Sequence, residues 1–158
     1  MASREQEIRT KIAVDGESEY RKACQDINAS LRALDSELKL TAARFDDNAD
    51  SIEALTAKQD ILSKKYDEQK LKVAAAEEML KKYAEAGKEN TKEAKNMETQ
   101  LNKAKLALVQ TEKELKKTAE QLDDAKKATN EFDDTLEDMS NTADKSSGIL
   151  SKLGDSLN

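Results

Sequence analysis

The chain has 158 residues with no proline, histidine or tryptophan, one cysteine and four glycines, and 38% of it is charged. An average chain of this length carries roughly eight prolines, at ~5% usage, and ~25% charged residues. With aromatics at 3% and a mean hydropathy of −0.87, large side chains are too few to fill a broad globular core.

Several classes fall away on the same figures. The single Cys24 excludes a disulfide scaffold and fits a reducing compartment. No run of 18 or more apolar residues is present, so no membrane-spanning segment is expected. Behind Met1-Ala2-Ser3-Arg4-Glu5-Gln6-Glu7 there is no apolar h-region, so no signal peptide is expected. Lys and Arg number 27 against 33 Asp and Glu, a net charge of −6. Nucleic-acid binders need a basic face to neutralise phosphates, and here acid and base alternate instead, as on a solvated helix. The acid-first i, i+4 pairs Asp60–Lys64, Glu68–Lys72, Glu77–Lys81, Glu78–Lys82, Glu112–Lys116 and Asp123–Lys127 each contribute ~0.3 kcal/mol to a helix.

In chain order, the first element differs in period from the rest. Ile8, Thr10, Ile12 and Val14 alternate with Glu7, Arg9, Lys11 and Ala13, predicting a half-buried strand within residues 1–16 that turns at Asp15-Gly16. Ser18 is placed to cap the helix that follows. A lone strand needs a partner, so Ile8, Ile12 and Val14 are the candidate pairing residues, with a second copy or another protein supplying the neighbouring strand. Next, Tyr20, Cys24, Ile27, Leu31, Leu34, Leu38, Thr41 and Phe45 recur at alternating steps of four and three, predicting a first helix over 17–46. Asp46-Asp47-Asn48-Ala49-Asp50 breaks it, and Asp50 with Glu53 resembles a capping box for the next.

Two long stripes follow, and they predict an antiparallel coiled-coil hairpin over 50–139, with helices about 50–86 and 90–139. Gly87 suits a left-handed C-terminal cap between them, and Asn90 with Glu93 a new start. With Tyr83 opposite Ala94, the layers read Leu80–Met97, Ala76–Leu101, Val73–Ala104, Gln69–Leu108, Tyr66–Thr111, Leu62–Leu115, Gln59–Thr118, Leu55–Leu122 and Ile52–Ala125. Large meets small in several layers, and the polar Gln59 and Thr118 share one, where a hydrogen bond between them is expected. At 1.5 Å per residue the hairpin is roughly 50 Å long. The second stripe continues through Thr129, Phe132, Leu136 and Met139, so Phe132 and Leu136 join the expected interface. Pairing of the same stripes between copies, as a dimer or trimer, is the alternative. Residues 140–158 read as a flexible linker, rich in Ser, Thr, Asn, Asp and Gly, and then the start of a truncated helix at Ile149, Leu150, Leu153 and Leu157. The expected fold is therefore all-α: a long antiparallel coiled-coil hairpin preceded by a short β-strand and one further long helix.

No catalytic constellation is present, and no enzyme, cofactor or metal site is expected. Without histidine, the commonest general base and zinc ligand are both missing. Cys24 lies on an apolar stripe and reads as a core residue. The run Asp46–Asp50 lacks the central glycine and closing glutamate of a calcium loop. Glycines at 16, 87, 148 and 154 form no phosphate-cradling loop. Tyr20, Tyr66 and Tyr83 stand at helical spacing, which is packing rather than base stacking. Glu131-Phe132-Asp133-Asp134 and Glu137-Asp138 form an acidic stretch that reads as a solvated face, with docking of a basic partner surface as the alternative.

The strand-turn-helix opening Glu7–Gly16 into Ser18-Glu19-Tyr20-Arg21-Lys22 resembles the N-terminal part of bacteriophage tail tape measure proteins of the Gram-positive prophage type. Further stretches are similar: Leu31–Lys39, Ser51–Lys58, Leu62–Lys70 and Glu98–Ala104. The resemblance implies a structural ruler that lies inside the growing tail tube, sets tail length and is expelled on infection. It implies as partners the tail tube protein, a tail assembly chaperone and the tail tip or baseplate. It places the protein in the bacterial cytoplasm during assembly and then in the virion tail lumen. A fully helical chain of this length reaches roughly 240 Å, and family members are several times longer, so an N-terminal fragment, or a short product such as that of a defective prophage gene, is expected. The competing class is a coiled-coil holdase chaperone or oligomerisation module. Against it, Ala84-Glu85-Ala86-Gly87-Lys88-Glu89-Asn90 at the hairpin tip is small and polar. A helical secreted effector is weakened by the lack of a membrane-active apolar stretch.

Overall fold

The computed structural model describes the backbone of residues 14–156 and the side chains of residues 14–145. Among the described residues the protein is all-α, with three α-helices and no strand: α1 (Glu17–Arg44), α2 (Ile52–Glu85) and α3 (Lys92–Ser156). A single 3-10 turn at Asp46–Asn48 lies between α1 and α2. The expected strand residues Ile8 and Ile12 lie outside the described residues. Val14 is described, but it joins no strand. Its side chain, 6% exposed, enters an apolar cluster with Ala76, Met79, Tyr83, Ala94, Met97 and Leu101.

The helix ends follow local chemistry, one residue away from the sequence expectation in two cases. Gly16, not Ser18, is the N-cap of α1; its φ of 86° is left-handed, which glycine adopts without steric cost. The α2 N-cap is Ser51, whose hydroxyl accepts from the Ala54 N–H at 3.2 Å, rather than Asp50. Likewise Thr91 Oγ1 accepts from Ala94 N at 3.2 Å, displacing Asn90. Asp50-Ser51 and Asn90-Thr91 are adjacent pairs of good caps, so position alone separates the winners. At the end of α2, Lys88 N donates to Tyr83 O and Gly87 N to Ala84 O, with Gly87 at φ 65°. That is the double bond of a Schellman cap, and it turns the chain back on itself.

The linker expected from 140 onward is instead helix: α3 runs unbroken to Ser156. Its Ser and Thr side chains have outlets that leave the backbone ladder intact, as when Thr135 Oγ1 donates to Glu131 O at 2.8 Å and Thr142 Oγ1 to Asp138 O at 2.9 Å. No proline interrupts, and Gly148 and Gly154 cost only about 1 kcal/mol each against alanine.

Packing centres on α2, which touches both other helices. Lys72 Nζ donates to Asn28 Oδ1 at 2.8 Å and Lys65 pairs with Asp35 at 2.7 Å, so α1 runs antiparallel to α2. On the other side Lys58 pairs with Glu114 at 3.4 Å and Lys105 with Glu77 at 2.7 Å, so α3 is antiparallel to α2 as well. Glu77 thus reaches across to α3 rather than to Lys81, whereas Glu78–Lys82 and Asp123–Lys127 form along their own helices.

Candidate functional site

The α2–α3 seam is the most enclosed part of the molecule. Leu55, Leu62 and Tyr83 on α2 and Met97, Leu101 and Leu122 on α3 are buried; Leu62 is fully enclosed at 0% exposure. Ile52, Tyr66, Val73 and Leu80 on α2 and Leu108 and Leu115 on α3 are half-buried along the same line. Lys70 Nζ covers the Tyr66 ring at 5.6 Å from its centre. The two cross-helix ion pairs flank this line on opposite sides, as they must when Tyr83 faces Ala94. Thr118 is fully enclosed too, but its hydroxyl donates to Glu114 O of its own helix at 2.9 Å instead of meeting Gln59. A threonine in a helix satisfies itself in this way without needing a cross-helix partner.

Phe132 and Leu136 depart from expectation. They are 62% and 47% exposed, and Met139 is 64% exposed. The cause is geometric: α2 begins at Ile52, whose counterpart is Ala125, so among the described residues nothing lies beside α3 from 126 to 145.

A second buried face of α2 was not anticipated. Ala54, Ile61 and Met79 are buried off the main stripe, and they line up with Lys65, Lys72 and Ala75 at steps of seven, four and three. This face receives α1, whose own stripe from Tyr20 to Phe45 is buried or half-buried throughout, Leu34 most of all at 8%. The signal was present in the sequence as a weaker stripe interrupted by lysines, whose long stems cover apolar surface while their heads find Asp35 and Asn28.

Between the three helices lies a cavity of about 200 Å³ bordered by Cys24, Asn28, Gln69, Lys72, Gln100 and Lys103. Gln69 is 5% exposed and its Oε1 has no hydrogen-bond partner. A buried unsatisfied polar atom costs about 1–3 kcal/mol, so Gln69→Leu is expected to raise the melting temperature, by about 2–4 °C for each kcal/mol recovered. Calorimetry of the purified variant checks this; an unchanged or lowered melting temperature contradicts it. Burial, and then the adjacent Cys24, push the Tyr20 hydroxyl well above the usual tyrosine range. Burial, followed by the nearby Glu17 and Glu93 charges, raises Tyr83 as well. Both rings therefore stay neutral, in keeping with packing roles. Cys24 is half-buried beside Tyr20.

No family model matches the chain, and no curated protein or solved structure matches it either. Among the described residues, no helix is long and apolar enough to cross a membrane and no cluster of acidic or cysteine side chains is arranged to hold a metal ion. What the arrangement offers is shape: a braced three-helix body with a long, partly uncovered helix extending from it.

Proposed function

We propose that the protein is a structural part of a phage or prophage tail, the N-terminal coiled-coil region of a tape measure protein that sets tail length and supports assembly. In this reading α2 and α3 form an antiparallel coiled coil, α1 braces it, and self-association builds a rod within the tail lumen, where the tube, an assembly chaperone and the tip or baseplate are its partners. The supporting observation is α3 itself: 65 helical residues in one piece, about 98 Å at 1.5 Å per residue, far more than the body needs for packing. Such a helix converts residue number directly into distance, which is what a ruler does.

An in-frame duplication of four heptads within the exposed part of α3, introduced in the parent genome, tests it. Twenty-eight added helical residues correspond to about 42 Å, and tails seen by electron microscopy are expected to lengthen by that increment. Tails of unchanged length, or a parent that makes no tail-like particles, would overturn the reading. Suppression of client aggregation by the purified chain, with tails unaffected, would instead favour the holdase class.

A further inference from the structure

We infer that α1 is a releasable strap: from Cys24 to Arg44 it undocks from α2 as one unit while the α2–α3 hairpin stays folded, baring the face of Ala54, Ile61 and Met79 beneath it. The strap is independent of the tail reading, since only the contacts among the three described helices bear on it.

The two interfaces of α2 are unequal. On α1 only Leu34 is buried, whereas α3 buries side chains at every layer type from Ala94 and Met97 to Thr118 and Leu122. Of the buried residues of α2, Leu55, Leu62, Gln69, Ala76 and Tyr83 lie on the line facing α3, and Ala54, Ile61 and Met79 on the line facing α1. Apolar area removed from water is the main attraction between packed helices, so α1 is the more weakly held of the two neighbours. Its stripe is also incompletely seated. The cavity at Cys24, Asn28 and Gln69 lies beside its middle turns, and a second one of about 430 Å³, bordered by Leu38, Thr41, Phe45, Ala54 and Leu55, lies beside its last. Dispersion contacts are forfeited across such gaps. The polar ties add little in return: the Asp35 carboxylate that meets Lys65 is 51% exposed, and pairs reaching into water contribute weakly.

The ends of α1 are built to confine the release. Val14 lies in the cluster at the closed end of the hairpin and Tyr20 packs against it, which fixes the start of the strap. At the far end the helix stops at Phe45, whose φ is −110°, and the 3-10 turn that follows has its own bonds, Asn48 N to Phe45 O at 2.8 Å and Ser51 N to Asn48 O at 3.0 Å. The hairpin, for its part, is tied without α1. The Gly87 cap closes it, and Lys58–Glu114 and Lys105–Glu77 join α2 to α3 directly. Once undocked, residues 24–44 lose the tertiary packing that supplies most of a helix's stability. Their backbone amides then exchange with solvent through a partial opening, ahead of the rest.

Native-state hydrogen exchange of the full chain tests this. The amides of residues 24–44 are expected to share one opening, populated at least tenfold more than the one that exposes seam amides such as Leu62 and Leu108. Leu115→Val then separates a strap from a single cooperative body. Leu115 is on the α2–α3 seam, which stays closed when α1 is released. The variant is expected to speed exchange at Leu62 and Leu108 about fivefold, the usual scale for a lost methylene, and to leave residues 24–44 within about twofold of wild type. Residues 24–44 as protected as the seam would overturn the inference. So would equal acceleration of both regions by Leu115→Val, or exchange along α1 that varies residue by residue with no shared opening.

Discussion

Leu62→Ala is expected to lose about 3–5 kcal/mol of stability, enough to put much of the population out of the native state. The residue is fully enclosed at the middle of α2, on the line that faces α3. Removing its three carbons leaves a void at the most enclosed layer of that seam. Packed helices relax only partly around such a void, so the cavity adds to the lost transfer energy. Urea unfolding followed by circular dichroism measures the loss as a fall in the midpoint with little change in slope. A loss under about 1 kcal/mol would mean that the seam tolerates a void at its most enclosed layer, contrary to the behaviour of packed cores.

Tyr83→Ala is the second large effect, also about 3–5 kcal/mol by analogy with the truncation of other buried aromatic rings. Here the damage is to one end. Tyr83 is 3% exposed and joins Val14, Met79, Ala94 and Met97 in one cluster, and its carbonyl accepts the Lys88 N–H that closes the Schellman cap. The start of α1, the end of α2 and the start of α3 therefore share this ring. Hydrogen exchange is expected to show lost protection first around residues 14–24 and 79–97, with the Leu62 layer protected for longer. Tyr83→Phe keeps the ring and is expected to cost far less. Uniform loss of protection along the helices in Tyr83→Ala would show instead that the bundle opens only as a whole.

How much of this was legible beforehand depends on the kind of signal. The line from Ile52 to Tyr83, its counterpart from Ala94 to Ala125, the break near residue 48 and the left-handed Gly87 are readable because each rests on a spacing or on a single residue's backbone preference. The docking of α1 on α2 was not read. Its face on α2 is built from Ala54, Ile61, Ala75 and Met79 with lysines in the gaps, so it lacks the unbroken apolar rhythm of the main stripe. The end of α3 was misread because Ser, Thr, Asn and Asp favour turns on average, yet nothing after Met139 forces one. Phe132 and Leu136 show the limit of periodicity: it says which side of a helix is apolar, but coverage depends on how far the neighbouring helix extends. Cap positions slipped by one residue where two suitable residues stood side by side, since the rule that selects either is the same.

The placement of Glu77 against Lys105 has a consequence for errors in assembly. If α3 slid along α2 by seven residues, most apolar layers would still find an apolar or small counterpart, although in one direction Leu80 would face Asn90 and Tyr83 would face Gly87. Glu77, however, would then face Glu98 after a slip one way and Glu112 after a slip the other way. Two carboxylates in place of one attraction penalise both misalignments, by up to about 1 kcal/mol for groups this exposed, so Glu77 adds a modest bias to the alignment that the Gly87 cap already sets.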